Sequence, residues 1–150
     1  MLALRLPTTA SRSARRTVLA GLAATVATTG LVLAGTAAPA HAATARNGVC
    51  ESGEFCLYYY SGQGGSVSDF TASVSNYGSS QPGCYEFRGV GSGQDQCVKN
   101  NAMSVRNRSS RAVTVYYNSG YAGASQTFAS GQVANLNATL SNNNASHKLR

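Results

Sequence analysis

Two stretches of the chain carry the same polar residues at the same spacing. "NNAMSVR" places Asn100, Asn101, Ser104 and Arg106, and "NNNASHK" places Asn142, Asn143, Ser146 and Lys148 forty-two positions later. One chemistry open to them is oxygen ligation. Calcium takes six to eight oxygens from carbonyls, hydroxyls and carboxylates. None of these Asn and Ser side chains is charged, so any calcium they hold is held weakly. The other chemistry is local: Asn and Ser bond their own backbone in turns. The reading favoured is that each copy builds the turn that closes one of two repeated units.

The second reactive set is the cysteines, Cys50, Cys56, Cys84 and Cys97. An even count in a short exported chain reads as two disulfides. Three pairings are possible. Cys50–Cys56 with Cys84–Cys97 is favoured, because each pair brackets a short polar stretch. Closing a loop the size of 84–97 stabilises by about 3 kcal/mol in the chain-entropy model.

Little else points to catalysis. His147 is the one histidine after residue 42. It is expected near a frayed end, with no catalytic role. If both disulfides form, no thiol remains as a nucleophile. There is no zinc-ligand spacing, nucleophile elbow or phosphate loop. Glu51, Glu54, Asp69, Glu86 and Asp95 nominate no carboxylate pair for glycoside hydrolysis. Tyr58, Tyr59 and Tyr60 suggest a sugar platform, but on a strand they split between two faces. The chain reads as a non-enzyme that needs no cofactor, calcium aside.

Export is expected from residues 1–42. "MLALRLPTTASRSARR" is basic, a small-residue apolar run follows, and "AHA" at 40–42 suits a signal peptidase. Cleavage is placed after Ala42, with Ala40 as the alternative. Four of the 12 basic residues leave with this leader and none of the five acids, so 43–150 carries +3. That charge is too small and scattered to imply nucleic acid. One secreted, monomeric domain is expected, with no membrane association after cleavage.

The elements that position these groups are strands. Residues 43–150 are rich in Ser, Asn, Gly, Tyr, Val and Thr, with turn residues every eight to twelve positions, an all-β pattern. "EFCLYYY", "AMSVRN", "AVTVYYN" and "ASQTFAS" are the clearest strands. "SSQPG", "GVGSGQD" and "SSR" are turns or loops. Shifted by 58, "YYYSGQGGSVSDF" falls on "YYNSGYAGASQTF" with six of thirteen positions identical, where chance supplies about one. An internal repeat follows. Each unit is a strand ending in Tyr, a folded hairpin using Gly62 or Gly120, a second Gly, then Phe70 or Phe128 returning to the core. The first unit is 16 residues longer between its Tyr and its Asn-Asn, and the excess is assigned to the loop carrying Cys84 and Cys97.

"VYYNSGYAG", on Tyr116, Tyr121 and Gly123, resembles the hairpin of the βγ-crystallin Greek key. "NNAMSV" and "NNNASH" resemble its calcium-binding segment, with Val105 and His147 where that segment ends in Ser. Together with the leader and cysteines, residues 47–149 resemble the Streptomyces metalloproteinase inhibitor family. The resemblance implies a βγ-crystallin-like pair of Greek keys and a secreted inhibitor of thermolysin-type metalloproteases. It also implies a reactive bond beside a cysteine on a disulfide-held loop. "CYEF" offers Cys84 and Tyr85 and "CVK" offers Cys97 and Val98, Tyr85 being narrowly preferred. The alternative is a non-inhibitory secreted crystallin-type module, with weak calcium binding and a structural or antimicrobial role.

Overall fold

The structure is a computed structural model and describes residues 43–150; the expected leader, 1–42, lies outside the described residues. Seven strands form: β1 Phe55–Tyr58, β2 Val67–Phe70, β3 Ser104–Asn107, β4 Val113–Asn118, β5 Ala122–Phe128, β6 Val133–Asn135 and β7 Ser146–Leu149. They make two antiparallel sheets, one ordered β2-β1-β3-β6 and the other β5-β4-β7. The repeat is visible in this order. Each unit lends a segment to the other's sheet: β6 of the second unit pairs with β3, and Val74 of the first bridges His147 on β7. The all-β, two-Greek-key expectation holds.

Alternation on the strands sends Phe55, Leu57, Val105, Val113, Val115, Phe128 and Leu149 between the sheets. β1 is buried on both faces. Its outer face is covered by the segment before it, where Cys50 packs on Cys56, Tyr58 and Val67. Both disulfides of the favoured pairing are formed, Cys50–Cys56 and Cys84–Cys97. The covering segment also explains a buried carboxylate in β2. Asp69 Oδ1 and Oδ2 accept the Gly48 and Asn47 N–H groups at 2.8 and 3.0 Å, so a charged side chain is tolerated without exposure.

The hairpins match the expectation in their glycines. Gly62 and Gly120 hold φ of 66° and 73°, and Gly65 and Gly123 hold 71° and 79°, angles that a Cβ resists. Phe70 and Phe128 return to the core. Of the three tyrosines, Tyr59 packs against the core, edge-on to Phe87, while Tyr60 stays about half exposed.

The Asn-Asn repeat closes these hairpins. Ser104 Oγ donates to Tyr60 O at 2.6 Å and accepts from Gln63 N at 2.9 Å. Ser146 Oγ donates to Asn118 O at 2.7 Å and accepts from Tyr121 N at 3.3 Å. The hairpin partners are 58 apart, as the repeat requires. The Asn-Asn ends grip each other: Asn100 N donates to Asn144 O and Asn142 N to Ala102 O, at 2.8 and 2.9 Å. Asn100 and Asn142 stand at φ 62° and 57°, which Asn tolerates better than most residues. Ser104→Ala and Ser146→Ala are each expected to cost about 1–2 kcal/mol, since each leaves a hairpin N–H and carbonyl without a partner. Urea midpoints of the two variants measure this.

Candidate functional site

The 16-residue excess of the first unit is an excursion stapled by Cys84–Cys97 and laid along β2. Its base is a narrow ladder. Tyr85 N donates to Tyr77 O, Val98 N to Tyr85 O, Phe87 N to Gln96 O and Asp95 N to Phe87 O, all at 2.7–2.9 Å. Phe87 is fully buried and anchors the excursion in the core. Its far half is tied to β2: Arg88 N and Gly89 N both donate to Val67 O, at 2.8 and 3.0 Å. Ser66 N donates to Ser92 O at 2.9 Å, and Ser66 Oγ donates to Gly89 O. Glycine is required where this half meets the body. A Cβ at Gly93 would lie 2.2 Å from the Tyr59 ring, and one at Gly89 would lie 2.6 Å from Val67.

The expected contact residues fare differently. Tyr85 is 38% exposed, but its ring leans on Phe70 at 5.6 Å, with the Arg46 guanidinium 5.3 Å from its centre. It is part of the wall of a shallow groove shared with Ala45, Phe70 and Val74. Its N–H and its carbonyl are both taken by the ladder. Val98 is a correction: it is 0% exposed and belongs to the core, so it cannot enter another protein's pocket. The residue that stands out is Val90, 92% exposed at the apex. The sequence reading placed it in a loop without singling it out. The available signal was a bulky apolar residue between two glycines in a turn-forming stretch.

His147 is a second correction. It is fully buried on β7, not frayed. Its ring lies among Phe55, Phe70 and Tyr77. Nε2–H donates to the Ala72 carbonyl, so Nδ1 accepts the Tyr77 hydroxyl, both at 2.9 Å. Burial lowers its pKa to about 4, with the bond to Ala72 opposing. Tyr77, also buried, is held well above the usual phenol range by desolvation. Glu54 is the other unusual ionisable group. One oxygen accepts the Glu51 N–H at 2.6 Å, the other has no partner, and burial raises its pKa.

The calcium set offers only neutral side-chain oxygens, which hold calcium weakly. The hydroxyls of Ser104 and Ser146 are committed as donors to carbonyls. The amides of Asn101 and Asn143 donate to nearby carbonyls of Cys97, Lys99 and Ser141. The positions that would bring a further hydroxyl are the buried Val105 and His147. Among the described residues no three His, Cys, Asp or Glu side chains converge. In this structure the Ser104 and Ser146 hydroxyls, the Asn101 and Asn143 amides and the backbone N–H groups of Asn100 and Asn142 all bond main-chain groups of the turns and hairpins.

Comparison with known proteins agrees with this architecture. A βγ-crystallin domain described under the evolution of the eye-lens fold superposes with a TM-score of 0.53 at 16% identity, over 69% of this chain and 93% of that one. The N-terminal domain of protein S gives 0.47 at 18% identity, over 65% and 94%. A βγ-crystallin from Ciona intestinalis gives 0.46 at 17%, over 65% and 100%. At these identities the first match supports the fold alone, which is βγ-crystallin-like. No curated protein matches the chain. The model of peptidase inhibitor family I36 matches residues 43–128, a stretch that holds β1–β5, both disulfides and the stapled excursion. The chain therefore belongs to peptidase inhibitor family I36.

Proposed function

We propose that this chain is a secreted, monomeric inhibitor of thermolysin-type metalloproteases, and that the 84–97 excursion is the element it offers to the protease cleft. A protease cleft takes an extended segment, and a free peptide loses conformational entropy on entering it. A loop ordered beforehand avoids most of that cost. The observation that carries the reading is the excursion itself: closed by Cys84–Cys97, laddered at its base and tied to β2 at its far half. Membership of an inhibitor family supports a protease as partner. The cysteines support an oxidising destination, and the basic, apolar leader at 1–42 supplies the route.

The test is titration of a thermolysin-type protease with the purified, oxidised chain at fixed calcium, beside a serine and a cysteine protease. Stoichiometric inhibition of the metalloprotease alone is expected. A folded, oxidised chain that leaves it fully active at micromolar excess overturns the reading. Inhibition of only the serine or cysteine enzyme would keep an inhibitor but reassign its class.

A further inference from the structure

We propose that the contact residue of the excursion is Val90, at its apex, rather than a residue beside either cysteine. Its side chain fills the apolar pocket that a thermolysin-type protease keeps for the residue following the addressed bond. The inference rests on the inhibitor reading above and assigns the residue within it.

Three observations converge on Val90. The first is access: Val90 is 92% exposed, against 38% for Tyr85 and 0% for Val98. The second is the backbone. A cleft that grips a loop by its main chain needs N–H and C=O groups the loop has not already spent. Tyr85 has both groups bonded internally, and Val98 donates to Tyr85 O while its carbonyl accepts Asn101 N and Asn144 Nδ2. Val90 spends neither group on another backbone group. The third is support. Gly89 and Gly91, on either side, are tied down: Gly89 N to Val67 O, and Gly91 O accepting Gln94 N at 3.1 Å. Val90 is thus a free peptide unit between fixed neighbours that carry no side chain to shade it.

The same end of the molecule presents a second valine. Gly48 packs on the Arg88–Gly89 peptide so closely that a Cβ there would lie 2.7 Å from it, which brings Val49, 57% exposed, to this end. Arg88 borders the patch and pairs with Glu86 at 3.3 Å. The apex therefore carries an exposed apolar tip with a charged pair two to four residues before it.

The carbonyl preceding Val90 faces inward. Gly89 O accepts the Ser66 hydroxyl, and Ser66 is fully buried. A zinc protease would need that oxygen at its metal to cut Gly89–Val90. Val90 therefore occupies the pocket while the bond before it is shielded, and the chain docks without being cut there.

Inhibition constants of Val90→Gly, Val90→Thr and Tyr85→Gly against a thermolysin-type protease test this, with matched melting curves for the four proteins. Val90→Gly is expected to weaken inhibition about 10- to 100-fold, the burial worth of a valine side chain. Val90→Thr keeps the branched shape between the two glycines, so a loss of about tenfold in it separates lost apolar contact from added flexibility. Tyr85→Gly is expected to change inhibition less than about threefold, a surface-scale effect, and the chain should be recovered uncut from a long incubation. Full inhibition by Val90→Gly, or a large loss confined to Tyr85→Gly, overturns the assignment. A new N-terminus at Val90 overturns the shielding. A wild-type chain that does not inhibit at all overturns the functional reading first, and is recognised before any variant is compared.

Discussion

The burial of His147 is expected to cost the protein about 3 kcal/mol of folding free energy on acidification from pH 7 to pH 4. Its folded pKa is about 4, whereas a free histidine titrates near 6.5, and each unit of difference is worth about 1.4 kcal/mol. Between those values the unfolded chain binds a proton that the folded chain excludes. The stabilisation is complete above about 6.5 and is lost as the pH falls toward 4, below which both states are protonated. The ring has no room to charge. Phe55 and Phe70 lie about 5 Å from it, and its two nitrogens are held by Tyr77 and Ala72. Protonated Nδ1 would also face the Tyr77 hydroxyl with a hydrogen where it now accepts one.

Glu54 acts in the opposite sense. Burial raises its folded pKa, so its contribution is present at low pH and is lost as the pH rises through the raised value. It acts against the acid loss from His147. Urea unfolding at pH 7, 5.5 and 4 should show the decline. The double variant Tyr77→Phe/His147→Phe should flatten it, and removing both polar partners of the Tyr77–His147 bond keeps the neutral-pH penalty small. An unchanged slope in that variant would move the acid sensitivity to another group.

Much of the fold was legible because the relevant signals are local. "EFCLYYY", "AMSVRN", "AVTVYYN" and "ASQTFAS" contain or overlap β1, β3, β4 and β5. Gly62, Gly120, Gly65 and Gly123 stand at the positive φ that their place in the repeat implies. The short spans 50–56 and 84–97 matched the disulfides that formed. What escaped was set by distant partners. β2, "VSDF", alternates poorly because Ser68 and Asp69 are satisfied by Arg46, Asn47 and Gly48, some twenty residues earlier. β7 hides its register because one of its inward residues is a histidine, whose partners lie 70 and 75 positions away. Val98 and Val90 are the same residue type eight positions apart. Only the tertiary fold makes one a core residue and the other the most exposed large apolar side chain among the described residues.

Replacing Cys84 and Cys97 together by serine is expected to destabilise the protein by about 3 kcal/mol, the loop-entropy worth of the closure. That is about 13 °C in melting temperature for a domain of this size. The Cys50→Ser/Cys56→Ser pair closes a shorter span, with a sequence separation of 6 against 13. It should cost about 2 kcal/mol by the same relation. The two stability losses are therefore similar, and inhibition separates them. Cys50–Cys56 fastens the covering segment over β1 and closes none of the 84–97 ladder. Cys84–Cys97 holds the two ends of the ladder whose far half carries Val90. Without it, the bonds from Tyr85, Phe87, Asp95 and Val98 still favour the native loop, but they open together, and an open loop is a substrate. The 84/97 variant should inhibit only briefly and then be cut within 84–97 with the release of its fragments, whereas the 50/56 variant, assayed below its melting range, should stay uncut and lose no more inhibition than the Val49 contact supplies. Equal loss of inhibition in both would mean that the protease-binding surface depends on the whole end of the domain near Gly48 and Gly89, and not on the stapled excursion alone.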